Sequence, residues 1–145
     1  PTQDAWLPAL EQPQGKGPGA QQRGRAEIAL ARATDGHFYV DADINGTSIR
    51  MLADTGASLI VLGAVDAEQA GIDVDQLDFN RVATTANGRA AVAHLQLDEV
   101  RVGSIVRHDV PAMVARGLDG SLLGMSFFNQ LSRVAIESDE LVLQD

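Results

Sequence analysis

One seven-residue stretch, Leu52-Ala53-Asp54-Thr55-Gly56-Ala57-Ser58, constrains this chain more than any other. Apolar residues lead into an aspartate, Thr-Gly and two small residues follow, and a second apolar run, Leu59 to Leu62, comes after. Asp and Gly are the default residues of surface turns, so the tripeptide alone reads first as a turn. A turn chosen only for solubility would not sit between two apolar strands. The surroundings therefore predict a buried tight loop that holds a carboxylate in a fixed place. The motif occurs once. Chemistry that needs two such carboxylates would have to take the second from another copy.

The rest of the sequence sets the fold class. At 145 residues the chain has the length of one domain. Valine-rich runs broken by 14 glycines predict a mainly β protein with many turns. A formal net charge of −9 argues against a nucleic-acid groove, which needs a basic patch, and reads as solubility. With no cysteine there is no disulfide framework, thiolate zinc site or thiol nucleophile. No apolar run reaches the length of a membrane span. The chain opens on Pro1 rather than Met, which reads as a processed product or a piece of a longer protein with any anchor upstream.

Residues 1–24 hold four of the five prolines, with Gln12, Gln14, Gln21, Gln22 and several glycines, and read as a linker or pro-segment. Trp6 and Leu7 are its candidate anchors. The domain is expected over 25–145. Ile28 and Leu30 alternate in a first short strand, and His37–Ile44 forms the next. Asn45-Gly46 predicts a hairpin, because both residues tolerate positive φ, and Thr47–Ala53 returns as the partner strand. Leu59–Leu62 is a strand and Ala64–Ala70 a short helix ended by Gly71. Phe79–Thr85 and Ala90–Val102 flank a second hairpin at Asn87-Gly88. Ile105–Val114 is extended, Leu122-Leu123 is stopped by Gly124, and Met125–Leu131 has helical spacing. Val134–Glu137 and Leu141–Leu143 close the chain as strands. There is no internal repeat.

Several other motifs point nowhere in particular. Asp41 to Gly46 matches half of a calcium loop, but the required acidic ligand would fall at Leu52. His37, His94 and His108 lack ligand spacing, so no metal and no cofactor are expected. Ser58 and Ser126 lack the G-x-S-x-G context of a nucleophile elbow. Asp73, Asp75 and Asp78 read as a solvated loop.

The order of the remaining pieces carries a resemblance. Strand, D-T-G-A-S, strand, helix, glycine-tipped hairpin, L-L-G and helix resembles the retropepsin-like aspartic proteases. Thr85-Ala86-Asn87-Gly88 and Leu122-Leu123-Gly124-Met125-Ser126-Phe127 are similar to the bacterial members, often made with an N-terminal membrane anchor. The resemblance covers 25–145. It implies a closed, barrel-like, mainly β fold with one or two short helices. It also implies a homodimer in which Asp54 pairs with its symmetry mate to hydrolyse a protein or peptide substrate, with no nucleic-acid partner.

On this resemblance Thr55 bonds across the two-fold axis, Gly56 lets the loops approach, and Ala57 and Ser58 support the loop, Ser58 by a bond to the Asp54 carboxylate. Leu122, Leu123 and Gly124 form the ψ-shaped crossing behind it. Thr84, Thr85, Ala86, Asn87, Gly88 and Arg89 form a flap over the substrate. The implied setting is the bacterial periplasm, as the soluble part of a membrane-anchored protein. Ala53 is smaller than the bulky residue expected before the aspartate, and the flap tip lacks an aromatic. Two alternatives stay open: a non-catalytic peptide-binding module and an inactive zymogen on the same fold. For assembly, Leu141–Leu143 is expected to join an inter-subunit sheet.

Overall fold

The computed structural model describes residues 26–85 and 88–145. The linker or pro-segment, with Trp6 and Leu7, lies outside the described residues. Among the described residues ten strands and two short helices run in the order β1 (Glu27–Ala31), β2 (Tyr39–Ile44), β3 (Thr47–Ala53), β4 (Ile60–Gly63), α1 (Ala64–Gln69), β5 (Arg81–Thr85), β6 (Gly88–Val102), β7 (Ile105–Ala115), β8 (Leu122–Leu123), α2 (Met125–Phe128), β9 (Arg133–Glu137) and β10 (Glu140–Gln144). A 3₁₀ turn, Val74–Gln76, crosses the acidic stretch because Val74 is buried while Asp73 and Asp75 stay exposed.

The described chain forms two compact units, one comprising residues 40–130. Its sheet has the order β2-β3-β8-β4-β7-β6-β5, and β2 also pairs with β6, at Asp43–Arg101 and Ile44–Val100. The sheet thus closes on itself, as the mainly β expectation requires. Alternation explains the core. Val40, Ala42 and Ile44 point inward from β2, and Ile49 and Met51 do so from β3. Ile60, Leu62, Leu97, Val110, Val114, Leu123 and Phe127 complete it. Asp41 and Asp43 lie on the β2 strand that the sequence favoured over a calcium loop. Burial pushes the Asp41 carboxyl up, Arg50 at 3.8 Å offsets part of this, and Asp43 adds to it. The Asn45-Gly46 hairpin forms, with φ of 51° and 89°.

Most element ends fall a residue or two from the expectation, and two boundaries bear on the site. The second hairpin pairs Thr85 with Gly88, so Gly88 lies in the returning strand rather than in the turn. Gly88, at φ 110°, opens the returning strand in a conformation that suits glycine. Helix α2 stops at Phe128, short of Leu131. Just beyond it, the Ser132 N–H is taken by the Gln144 carbonyl at 3.0 Å, which turns the chain into β9.

Among the described residues, the second unit gathers residues 26–39 and 131–145. Its sheet has the order β1-β10-β9, all antiparallel. Leu141 and Leu143 sit opposite Leu30 and Ile28 on one side and Ile136 and Val134 on the other. Strand β10 is therefore central, with both backbone edges already paired. Leu141–Leu143 is thus not an edge strand as expected, and it could join an inter-subunit sheet only through β1 or β9. Arg32 stacks on Phe38 at 4.7 Å and meets Asp139 at 3.2 Å. Among the described residues no helix is long and apolar enough to cross a membrane.

Candidate active site

Strand β3 delivers Asp54, and β8 fixes where it stops. The two strands run parallel, with Leu52 level with Leu122 and Ala53 with Leu123. Leu52 N–H donates to the Ser121 carbonyl and Asp54 N–H to the Leu123 carbonyl, both at 2.9 Å. A two-residue strand thus anchors the backbone of the aspartate itself.

The loop then turns tightly. Ala57 N–H donates to the Asp54 carbonyl at 3.1 Å, and Gly56 N–H donates to Asp54 Oδ1 at 2.9 Å. The second bond orients the carboxylate. Asp54 is half-buried, while Thr55 and Gly56 beside it are exposed. Ser58 is also exposed and makes no hydrogen bond to Asp54 among the described residues; the Gly56 amide is the carboxylate's partner.

Gly124 explains why L-L-G ends in glycine. A Cβ there would lie 2.7 Å from the Ala57 carbonyl oxygen and would run into the Leu59 carbonyl. Its φ of −113° is ordinary, so the requirement is space, not conformation. The gap lets Met125 N–H reach the Ala57 carbonyl at 2.8 Å, tying α2 to the loop.

Two serines hold the loop's exit, and the sequence reading did not assign them this part. Ser126 Oγ accepts from Ile60 N–H at 3.0 Å and donates to the Pro111 carbonyl at 2.7 Å, joining β4, β7 and α2. Buried Ser121 Oγ accepts from Gly63 N–H at 3.1 Å and donates to Asp66 Oδ2 at 2.6 Å. Their position was a signal: the two hydroxyls bracket Leu122-Leu123-Gly124-Met125.

Level with Leu52, which leads into the loop, Leu122 belongs to an apolar wall. Val61, Val92 and Ala115 are buried, and half-buried Ala83, Met113, Leu118 and Leu122 pack on them. Ala83 belongs to β5, the first strand of the candidate flap. Thr84 pairs with Arg89 and Thr85 with Gly88. Thr84, Gly88 and Arg89 are exposed, and the tip residues Ala86 and Asn87 lie outside the described residues. Near this hairpin, Arg116 stacks on Phe79 at 4.1 Å and its backbone N–H donates to the Ala91 carbonyl at 3.1 Å.

Comparison with known proteins agrees with this geometry. Residues 40–130 match the family described as "gag-polyprotein putative aspartyl protease". An "uncharacterized protein in cobV 5'region" of Sinorhizobium sp. is 45% identical over 124 residues, which is 84% of this chain and 53% of that protein. The chain spans about half the length of the curated relatives it matches. The crystal structure of a retropepsin-like aspartic protease from Rickettsia conorii superposes with a TM-score of 0.75 at 38% identity, covering 83% of this chain and 91% of that one. EIAV protease complexed with the inhibitor HBY-793 shares the fold, with a TM-score of 0.56 at 15% identity over 67% of this chain and 89% of that one. The aspartate loop, the glycine crossing behind it and these matches together place the chain in the retropepsin-like aspartic protease family.

Proposed function

We propose that this chain is an aspartic endopeptidase whose catalytic pair consists of Asp54 from each of two copies. The observation that carries the reading is the Asp54 loop. Its backbone is fixed from behind by β8 and its carboxylate from the side by Gly56 N–H, while Thr55 and Gly56 remain exposed. An exposed loop around a half-buried carboxylate is suited to meet its own symmetry mate.

Two carboxylates in contact cannot both ionise readily, so the pair shares one proton. The ionised member takes a proton from a bound water as its oxygen attacks the scissile carbonyl carbon. The protonated member donates to the carbonyl oxygen, giving a tetrahedral gem-diol. Return of a proton to the nitrogen then breaks the C–N bond and releases acid and amine. Thr55 bonds to the opposite loop, and the Thr84–Arg89 hairpin covers the peptide and excludes water. The wall of Val61, Ala83, Met113, Leu118 and Leu122 suits an apolar substrate side chain.

Asp54→Asn tests the reading, because the amide cannot act as base. The expected loss of peptide cleavage is at least ~100-fold, with the fold unchanged by circular dichroism. Equal cleavage by the variant would sink the proposal. A wild-type chain that binds peptide at every concentration yet never cleaves it would favour the non-catalytic module instead.

A further inference from the structure

The apolar wall ends on a cation. Residues directly opposite one another in a sheet point to the same side. Leu122 is level with Val61, Val61 with Met113, and Met113 with His94. One row along, Gly63, Ala115, Val92 and Arg81 are level across β4, β7, β6 and β5. Arg81 therefore stands on the face that carries the wall, opposite buried Val92 and two residues before half-buried Ala83. His94, two residues past Val92, shares that face and is exposed. Val82 and Arg89 alternate with these positions and lie on the other side of the hairpin.

Arg81 is exposed, and nothing in the described chain neutralises it. Of the eight arginines among the described residues, Arg32, Arg50, Arg101 and Arg133 meet Asp139, Asp41, Glu99 and Glu137. Arg107 donates to the Val106 and Gln130 carbonyls, and Arg116 stacks on Phe79. Among the described residues only Arg81 and Arg89 have a guanidinium without a partner, and Arg89 faces away from the wall. The chain has 20 acidic residues and a formal charge of −9, yet 79–97 and 110–118 contain no Asp or Glu. Those stretches hold β5, the adjoining half of β6 and the end of β7. Along these strands the first carboxylates are Asp98 and Asp109, each four residues beyond His94 or Met113, about 13 Å away. Asp119, next to Leu118, is exposed and does not pair with Arg81.

We infer that Arg81 is a specificity residue that binds a carboxylate side chain of the peptide substrate, two residues along from the apolar side chain on the wall, an assignment that rests on the endopeptidase reading above. In an extended peptide alternate side chains share a face and lie about 6.6 Å apart. A side chain on the wall thus brings the next one on its face within reach of an arginine at the wall's end. The guanidinium suits the task, because its planar fork of donors takes both oxygens of a carboxylate. His94, diagonal to Arg81 across the β5–β6 pair, can add a ring N–H. The substrate class is then a peptide segment that alternates apolar and acidic residues.

The probe is a library of decapeptides, acetylated and amidated so that side chains carry the only carboxylates. Cleavage by the wild-type chain, read by mass spectrometry, should show Glu or Asp enriched about 5-fold over Gln or Asn two residues from an apolar position. Arg81→Gln should abolish the enrichment, and Arg81→Glu should replace it with Lys and Arg. Arg101→Gln removes a charge elsewhere on β6 and should keep the acidic preference. A merely damaged flap would slow all peptides alike and leave these ratios unmoved.

Equal acidic enrichment in the wild type and Arg81→Glu overturns the assignment, and so does equal loss in Arg101→Gln. Passing the same library over the immobilised chain separates this from the enzyme reading. Acidic peptides held by the wild type and released by Arg81→Glu, with no peptide cut, support the role of Arg81 and defeat the peptidase. Cleavage indifferent to acidic residues supports the peptidase and defeats the role of Arg81. Neither cleavage nor charge-dependent retention defeats both.

Discussion

Single atoms decide the most sensitive positions. At Gly124 the missing Cβ leaves room for the carbonyls of Ala57 and Leu59. Gly124→Ala should therefore cost about 3 kcal/mol or more, at the upper end for overpacking, because the obstacles are backbone. At Gly46, with φ 89° and open space around a Cβ, Ala should cost only about 1 kcal/mol. Urea unfolding of both variants checks the ranking. A charge can be followed the same way. Tyr39 Oη donates to Asp35 Oδ2 at 2.5 Å and His37 N–H to Oδ1 at 2.9 Å, and these bonds hold the exposed Asp35 carboxyl below its ordinary value. A lowered pKa means stability that is present above the unfolded value and lost as pH falls through the folded one, below about pH 4. Tyr39→Phe should move the Asp35 pKa back up, read by NMR titration of its carboxyl carbon. At this scale the sequence was legible where a residue's type carries its reason locally. Asp54, Gly56 and Gly124 could be read so. Ser121 and Ser126 could be noticed beside the L-L-G run but not paired, because the amides they accept from lie 58 and 66 residues away in the chain.

Elements make the site rigid by being short and mutually tied. Strand β8 has two residues and α2 has four, so neither is stable alone. They persist because each bonds to the Asp54 loop. Ser126 is the junction, since one hydroxyl serves β4 and β7 together. Ser126→Ala strands a half-buried N–H and a carbonyl, and the expected loss is about 1–3 kcal/mol. Ser126→Thr keeps the hydroxyl and should recover part of it, as urea midpoints would show. The strands themselves were readable from alternation, and so was the Asn45-Gly46 hairpin. The second hairpin was misplaced by one residue because Asn-Gly fits either register, and the pairing of β5 with β6 chose between them. The helical spacing of Met125, Phe128 and Leu131 was real, but the capture of Ser132 by β10 ended the helix first.

Assembly is the scale at which sequence alone misleads most easily. An apolar terminal strand looks like a docking strand until its neighbours are known. Deleting 139–145 would remove the centre of its sheet, taking with it Leu141, Val142 and Leu143, which are 3%, 6% and 0% exposed. At ~1.5–3 kcal/mol each, that loss of about 5–9 kcal/mol rivals the whole stability of a domain. Such a truncation should unfold the chain-end sheet rather than yield a folded monomer, so it cannot report on dimerisation. A shared active site can be tested without disturbing the fold. If each catalytic pair takes one Asp54 from each copy, an Asp54→Asn chain should poison the wild type by forming mixed dimers. With free exchange at equal concentrations well above the dimer Kd, about one quarter of dimers would be wild type on both sides. Activity per wild-type chain should then fall to about one half, and further as the variant is added in excess. Titration at fixed wild-type concentration, with a fluorogenic peptide as readout, gives the curve. Activity that stays constant under excess variant would mean that each chain works alone, and the pairing of Asp54 across two copies would have to be abandoned.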